Sequence, residues 1–215
     1  MKIFSSIRFS ICASTLLLIS CNILTYPKPN YIKIGTQTWS VSNLQVNHFR
    51  NGDAILEAES DEAWVKAGSD SKPAWCYFNN DSTLENTYGK IYNWFAVNDT
   101  RGLADSGWHI PSDAEWNGLI DILGGPDSAG SKMRSKQGWN NEANGNNSSG
   151  FTGLPAGYRY NNGAFKGMGE YASWWSSSAM ESSGAWYRYL STKEDRLNRT
   201  FSDQRDGFSV RCIKN

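Results

Sequence analysis

Hydrophobic and polar positions divide the chain into an apolar leader, a middle with helical periods and two flanking stretches of strand-like alternation. Residues 1–20 start with Lys2 and Arg8 and continue as an apolar run over residues 9–20. That run is shorter than the ~20 apolar residues that cross a bilayer. It has the shape of a signal peptide, but no Ala-x-Ala site closes it. Residues 21–30 follow as a short tether, kept extended by Pro27 and Pro29. Tyr31-Ile32-Lys33-Ile34 then alternates, turns at Gly35-Thr36 and resumes at Gln37-Thr38-Trp39, which predicts a hairpin. The polar stretch 51–72 contains a short helix over residues 60–67. Ser60 caps it, and Asp61 and Glu62 stand at the positive end of its dipole. Residues 74–78 read as a strand.

The middle of the chain changes period. Tyr88, Ile91, Tyr92 and Phe95 recur at helical spacing and predict a helix over residues 87–97. A second helix is expected over residues 112–123. Ser112 and Glu115 form a Ser-x-x-Glu capping box, and Trp116, Leu119, Ile120 and Leu123 make one apolar face. Gly124-Gly125-Pro126 stops it. Residues 137–150 are rich in Asn and Gly and predict a long irregular loop. Strands return afterwards: a hairpin over residues 154–165 around Asn161-Asn162-Gly163, then runs at 173–176, 185–190, 196–201 and 207–213. In the last run Phe208, Val210 and Cys212 share one face, and Ser209 and Arg211 the other. The pattern predicts one α+β domain over residues 31–215, with two main helices packed on short antiparallel strands and long irregular loops between them.

Composition adds two things. The formal charge is zero, and two of the 21 basic residues, Lys2 and Arg8, sit in the leader, so the remainder is weakly acidic. A nucleic-acid partner would need a basic face, so none is expected. Ten Trp, ten Tyr and twenty Gly point to large flat side chains and tight turns, suited to a core with wet edges or to a binding surface. Of the four cysteines, Cys76 and Cys212 lie in strand-like runs of the body. In an oxidising compartment such a pair favours a disulfide, worth up to ~4–5 kcal/mol across so long a loop. Two buried free thiols are the alternative reading.

Several stretches resemble known families. Leu18-Ile19-Ser20-Cys21 resembles the lipobox of bacterial lipoproteins. That likeness implies a lipid on Cys21, removal of residues 1–20 and attachment to a membrane through the anchor. An ordinary secretory signal is the alternative. Asn22 rather than Asp follows the cysteine, which points to the outer membrane. Gly107-Trp108-His109-Ile110-Pro111-Ser112-Asp113-Ala114-Glu115-Trp116 resembles a segment of the formylglycine-generating enzyme family, and that likeness implies a C-type-lectin-like fold. A closer likeness covers nearly the whole body. Ile34-Gly35-Thr36-Gln37-Thr38-Trp39, Phe49-Arg50-Asn51-Gly52-Asp53, Pro73-Ala74-Trp75-Cys76-Tyr77, Tyr88-Gly89-Lys90-Ile91-Tyr92-Asn93-Trp94, Trp174-Trp175-Ser176-Ser177-Ser178 and the C-terminal run resemble the Fibrobacter succinogenes major paralogous domain. That family is typical of secreted and lipid-anchored bacterial proteins.

The enzyme family's chemistry does not carry over, because its catalysis rests on cysteines in the C-terminal half, where this chain has only Cys212. His48 and His109 have no ligand cluster around them, and His109 is expected to hold its turn by hydrogen bonds. The carboxylate pairs Asp61/Glu62 and Glu194/Asp195 read as solvated faces. No cofactor is expected. Calcium is the more credible metal, with oxygen-rich stretches at Asn79-Asn80-Asp81, Asn98-Asp99 and residues 140–147, although none has EF-hand spacing. The best ligand-binding candidates lie late in the chain: Trp174, Trp175, Trp186, Tyr187, Arg188, Tyr189, Arg196 and Arg199. Aromatic residues beside arginine make binding hot spots. Trp174 and Trp175 are neighbours on a strand, so only one belongs to the core if one sheet face is wet. The expected function is a lipid-anchored, non-catalytic envelope module that binds a glycan or a protein. An envelope polymer-processing enzyme and a purely structural lipoprotein are the alternatives.

Overall fold

A computed structural model describes residues 31–181 and 183–215. The leader, Cys21 and the tether lie outside the described residues. Thirteen strands and five short α-helices follow one another. The strands are β1 (Tyr31–Ile34), β2 (Gln37–Ser40), β3 (Leu56–Glu57), β4 (Ala74–Cys76), β5 (Ile91–Asn93), β6 (Trp108–His109), β7 (Ala156–Arg159), β8 (Phe165–Met168), β9 (Tyr171–Met180), β10 (Gly184–Ser191), β11 (Glu194–Asp203), β12 (Gly207–Phe208) and β13 (Ile213–Lys214). The helices are α1 (Asp61–Ser69), α2 (Glu85–Tyr88), α3 (Trp94–Val97), α4 (Asp113–Ile122) and α5 (Pro126–Met133).

The expected class is corrected. Among the described residues sheet dominates, and no helix exceeds ten residues. A four-stranded sheet runs β1-β2-β13-β6. A larger one runs β11-β10-β9-β7-β12-β5-β4-β3, with β8 added beside β7. It is mixed: β7 pairs parallel with β9 and β3 parallel with β4, and the other pairs are antiparallel. The predicted helix over 87–97 is the main reason for the difference. Gly89 takes φ 72°, outside the helical region, and ends α2. Ile91, Tyr92 and Asn93 are then all buried as β5, between β12 and β4. A residue set at spacing 3–4 was split by one glycine into helix, strand and helix. Pro126 was read as a stop, but it is the first residue of α5, where its missing N–H costs nothing. The last run is also two short strands rather than one, because the chain turns between Phe208 and Ile213 to change sheets. The 60–67 helix, the capping box of α4 and the first hairpin form as expected.

Around Trp174 and Trp175 both faces of the large sheet are covered. On one side Trp174, Leu190 and Leu197 pack with Trp39, Trp116, Leu119, Met133 and Phe151. The apolar face of α4 therefore meets Trp39, Phe151 and Trp174. On the other side Trp175 packs with Phe208, Val210, Tyr92 and Trp75. A third cluster joins α1 to β4 and β5 through Trp64, Ala67, Cys76 and Ile91. The expected bridge is absent: Cys76 and Cys212 are both free and buried. Cys76 pairs with Ile91 in the third cluster, while Cys212 is drawn to β2, where its carbonyl accepts the Ser40 N–H at 2.9 Å.

α5 lies tightly on β11. A Cβ at Gly130 would stand 2.3 Å from the Asp195 carbonyl oxygen, which is backbone and cannot swing away. Gly130→Ala should therefore destabilise the protein by about 1–3 kcal/mol, although alanine is the better helix former. A melting temperature equal to wild type would contradict this contact.

A tyrosine row as candidate functional site

The site is built by three adjacent strands of the large sheet. In β10 side chains alternate, so Tyr187 and Tyr189 point to one face and Trp186 and Arg188 to the other. Register sets Tyr187 opposite Trp175, Tyr189 opposite Ser173 and Ser191 opposite Tyr171, which puts Tyr171 on the tyrosine face. β7 joins β9 in parallel at Gly157 and Ala172 and brings in Tyr158. Tyr160 follows just beyond the strand. Ring centroids run 5.1 Å from Tyr160 to Tyr158, 5.9 Å from Tyr158 to Tyr171, 6.2 Å from Tyr171 to Tyr189 and 5.9 Å from Tyr189 to Tyr187. These separations lie within the range of favourable aromatic pairing.

The row rests on a buried floor. Phe208 stacks on Tyr187 at 4.3 Å and meets Trp175 at 4.4 Å. Gly167 of β8 passes beneath the rings. Its φ is 77°, and a Cβ there would come within 2.9 Å of Tyr171 and 3.1 Å of Tyr158. The upper side is open: Tyr160 is 41% exposed, and Tyr158, Tyr171, Tyr187 and Tyr189 are half-buried. The Tyr158 and Tyr160 hydroxyls are 3.2 Å apart. Those of Tyr171, Tyr187 and Tyr189 have no protein partner among the described residues, yet none is a buried orphan.

Electrostatically the row is neutral. Burial, and then the neighbouring tyrosines, push Tyr158 and Tyr187 well above the usual phenol value. Burial, Glu194 and Tyr171 raise Tyr189. Nearby Asp206 is also pushed up by burial, against the hydrogen bonds it accepts from Ser202 Oγ and the Asn161 N–H. The arrangement can stack flat groups and exchange neutral hydrogen bonds.

The profile of a known family, the Fibrobacter succinogenes major domain, matches residues 32–214. The chain belongs to this family. No curated protein and no solved structure matches it. The wider likeness to a C-type-lectin-like fold thus has no support beyond the motifs that suggested it. In this Fibrobacter succinogenes major domain the tyrosine row and its floor fall inside the matched residues, as do both sheets apart from Tyr31 at the start of β1.

The structure divides the other candidates among different tasks. Trp174 and Trp175 do point to opposite faces, but both are fully buried, because neither face of the sheet is wet there. Trp174 donates to Asn43 Oδ1 at 2.9 Å and Trp175 to the Tyr92 carbonyl at 2.9 Å. Arg188 is also fully buried. It pairs with Asp113 at 2.8 Å and donates to Asn117 at 2.7 Å, tying β10 to α4. Arg199 reaches the same Asp113 at 3.0 Å and lies 3.4 Å above the Trp186 ring, so one face of that ring is already occupied. Arg196 pairs with Asp127 of α5 at 2.6 Å. The three arginines hold helices against the sheet, and only Tyr187 and Tyr189 of the expected set join the row. Tyr158 and Tyr160 were missed. Their alternation in Tyr158-Arg159-Tyr160 was visible, but the parallel pairing that sets β7 beside β9, in line with the tyrosines of β10, was not.

The oxygen-rich stretches spend their side chains on turns. Asp81 accepts from the Thr83 N–H, Asp99 from Arg101, Asn144 from the Trp139 N–H, Asn146 from the Ser148 N–H and Asn147 from the Thr152 N–H. No cluster of three or more His, Cys, Asp or Glu occurs among the described residues. His109 bonds Glu115 at 2.7 Å and Asn215 at 2.6 Å, and Ser112 Oγ donates to the same Glu115 carboxylate. The carboxylate stands between serine and histidine, so this is a cap with a brace, not a nucleophile paired with its base.

Proposed function

We propose that the mature chain is a lipid-anchored, non-catalytic binding module of the bacterial cell envelope, and that a glycan lies on the tyrosine row. One observation carries this reading: five adjoining tyrosine rings, half-open, with hydroxyls at their rim and a rigid floor beneath. A sugar ring presents C–H groups on its faces and hydroxyls at its edge, which matches flat rings bordered by neutral donors and acceptors. Tyrosine also loses little conformational freedom on binding. Asp206 is already held by two donors, so it lacks the free, opposed partner that glycoside hydrolysis needs. The anchor is supported by the basic start, the short apolar run and Cys21 at its end. Asn22 favours the outer membrane.

A protein ligand is the second reading, favoured by the far face of the β10–β11 hairpin. There Phe201 is 52% exposed beside Trp186 and Arg199.

Tyr160→Ala and Tyr189→Ala remove rings without touching the floor. Each should weaken glycan binding about tenfold, since an aromatic contact is worth up to ~1.5 kcal/mol. Melting temperature should stay near wild type. Glycan arrays of envelope and plant polysaccharides identify the ligand, and calorimetry on the variants locates it. Unchanged affinity in the double variant, at full stability, would move the site off this row.

A further inference from the structure

We infer that the outer face of the four-stranded sheet lies against the phospholipid headgroups of the membrane that holds the anchor. The inference rests on the lipid-anchor reading and adds a second contact to it. In β1, Ile32 and Ile34 point inward to the core, which leaves Tyr31 and Lys33 outside. Lys33 stands opposite Thr38, Tyr31 opposite Ser40, and Lys214 opposite Trp108. Ile213 pairs with the buried Trp39, so Lys214 must face the other way. Ser40 is buried, its Oγ accepting the Cys212 N–H at 3.0 Å, so the accessible part of this face carries Tyr31, the half-buried Trp108, two lysines and the Thr38 hydroxyl, and no acid.

Tyr31 is 61% exposed and its ring meets Trp108 at 6.1 Å. The Lys214 ammonium stands 5.8 Å from the Tyr31 ring centre. Neither Lys33 nor Lys214 joins an ion pair among the described residues. Trp and Tyr settle at the headgroup level of a bilayer, and lysines beside them meet anionic lipid. The chain also enters the domain at this face. Tyr31 is ten positions after Cys21, a reach of at most about 35 Å. A lipid on Cys21 thus keeps the face close to the bilayer, where weak contacts become effectively intramolecular.

The test uses the full processed chain in vesicles of phosphatidylethanolamine and phosphatidylglycerol with acyl chains brominated near the headgroup. Bromine quenches only tryptophans at the interface. Wild type should show a quenched component that Trp108→Phe loses. Lys33→Glu and Lys214→Glu should each reduce docking about fivefold or more while the protein still floats with the vesicles. Equal quenching in wild type and Trp108→Phe, or no response to the lysine changes, overturns the inference with the anchor intact. Cross-linking between copies through Tyr31 and Trp108 without quenching overturns it in favour of self-association. A protein that carries no lipid mass on Cys21 and leaves the vesicles overturns the anchor itself, and the docking with it.

Discussion

Arg211→Ala should cost the protein about 4 kcal/mol or more and leave it unfolded or nearly so at moderate temperature. Arg211 is buried and has no carboxylate partner among the described residues. Its Nε donates to Asn43 Oδ1 at 2.7 Å, and its Nη1 to the Ser40 and Phe151 carbonyls, both at 2.8 Å. Its Nη2 donates to the Thr152 carbonyl at 2.9 Å. The guanidinium also lies 4.5 Å from the Phe151 ring centre. Burial pushes its pKa down to about 9, which still leaves it charged at neutral pH. One side chain thus joins the end of β2, the loop before β7 and the segment between the two sheets. Truncation strands carbonyl groups in a dry core and opens a cavity beside two aromatic rings. Arg211→Lys should fail almost as badly, because an ammonium on a single stem cannot span four acceptors held in a plane. Urea denaturation measures both, and a loss below about 1 kcal/mol in Arg211→Ala would show that these bonds are not worth their geometry.

Native protein should be inert to a thiol reagent, and denaturation without reductant should release two thiols from the processed chain. Cys76 and Cys212 are free, and burial pushes each thiol up to about 12, so the reactive thiolate is scarce as well as inaccessible. Reductant should leave the melting temperature unchanged. The count also tests the leader. On the proposed lipid anchor, Cys12 departs with residues 1–20 and Cys21 is blocked by a thioether, so three thiols would mean that Cys21 carries no lipid. None would mean that the two body cysteines are bridged after all.

Local signals were legible from the sequence where the cause is local. Ser60 and Ser112 cap helices because their hydroxyls reach backbone N–H groups three residues on, and that needs no tertiary context. The β1–β2 turn at Gly35 and the alternation of Phe208, Val210 and Cys212 toward one core are of the same kind. The family could be read from ordered motifs, since those are matched position by position. The carboxylates Asp61, Glu62, Glu194 and Asp195 are exposed as expected, and what failed was the reading of a strand as having one wet face. Arg188, Arg211 and both Trp174 and Trp175 look amphipathic in a strand pattern, but a second layer covers each face of the large sheet there. Spacing alone also could not show that Gly89 would interrupt a helical period and turn Ile91 into strand.

The sequence by itself determined the caps, the hairpins and the family. The tertiary structure alone decided the site. Four of the five tyrosines come from three strands and Tyr160 follows β7, and two of those strands meet in parallel at one residue pair, Gly157 and Ala172. Hydrophobic periodicity encodes which way a side chain points from its own strand. It does not encode which strand lies beside it, because pairing partners distant in sequence are selected by the packing of the whole core.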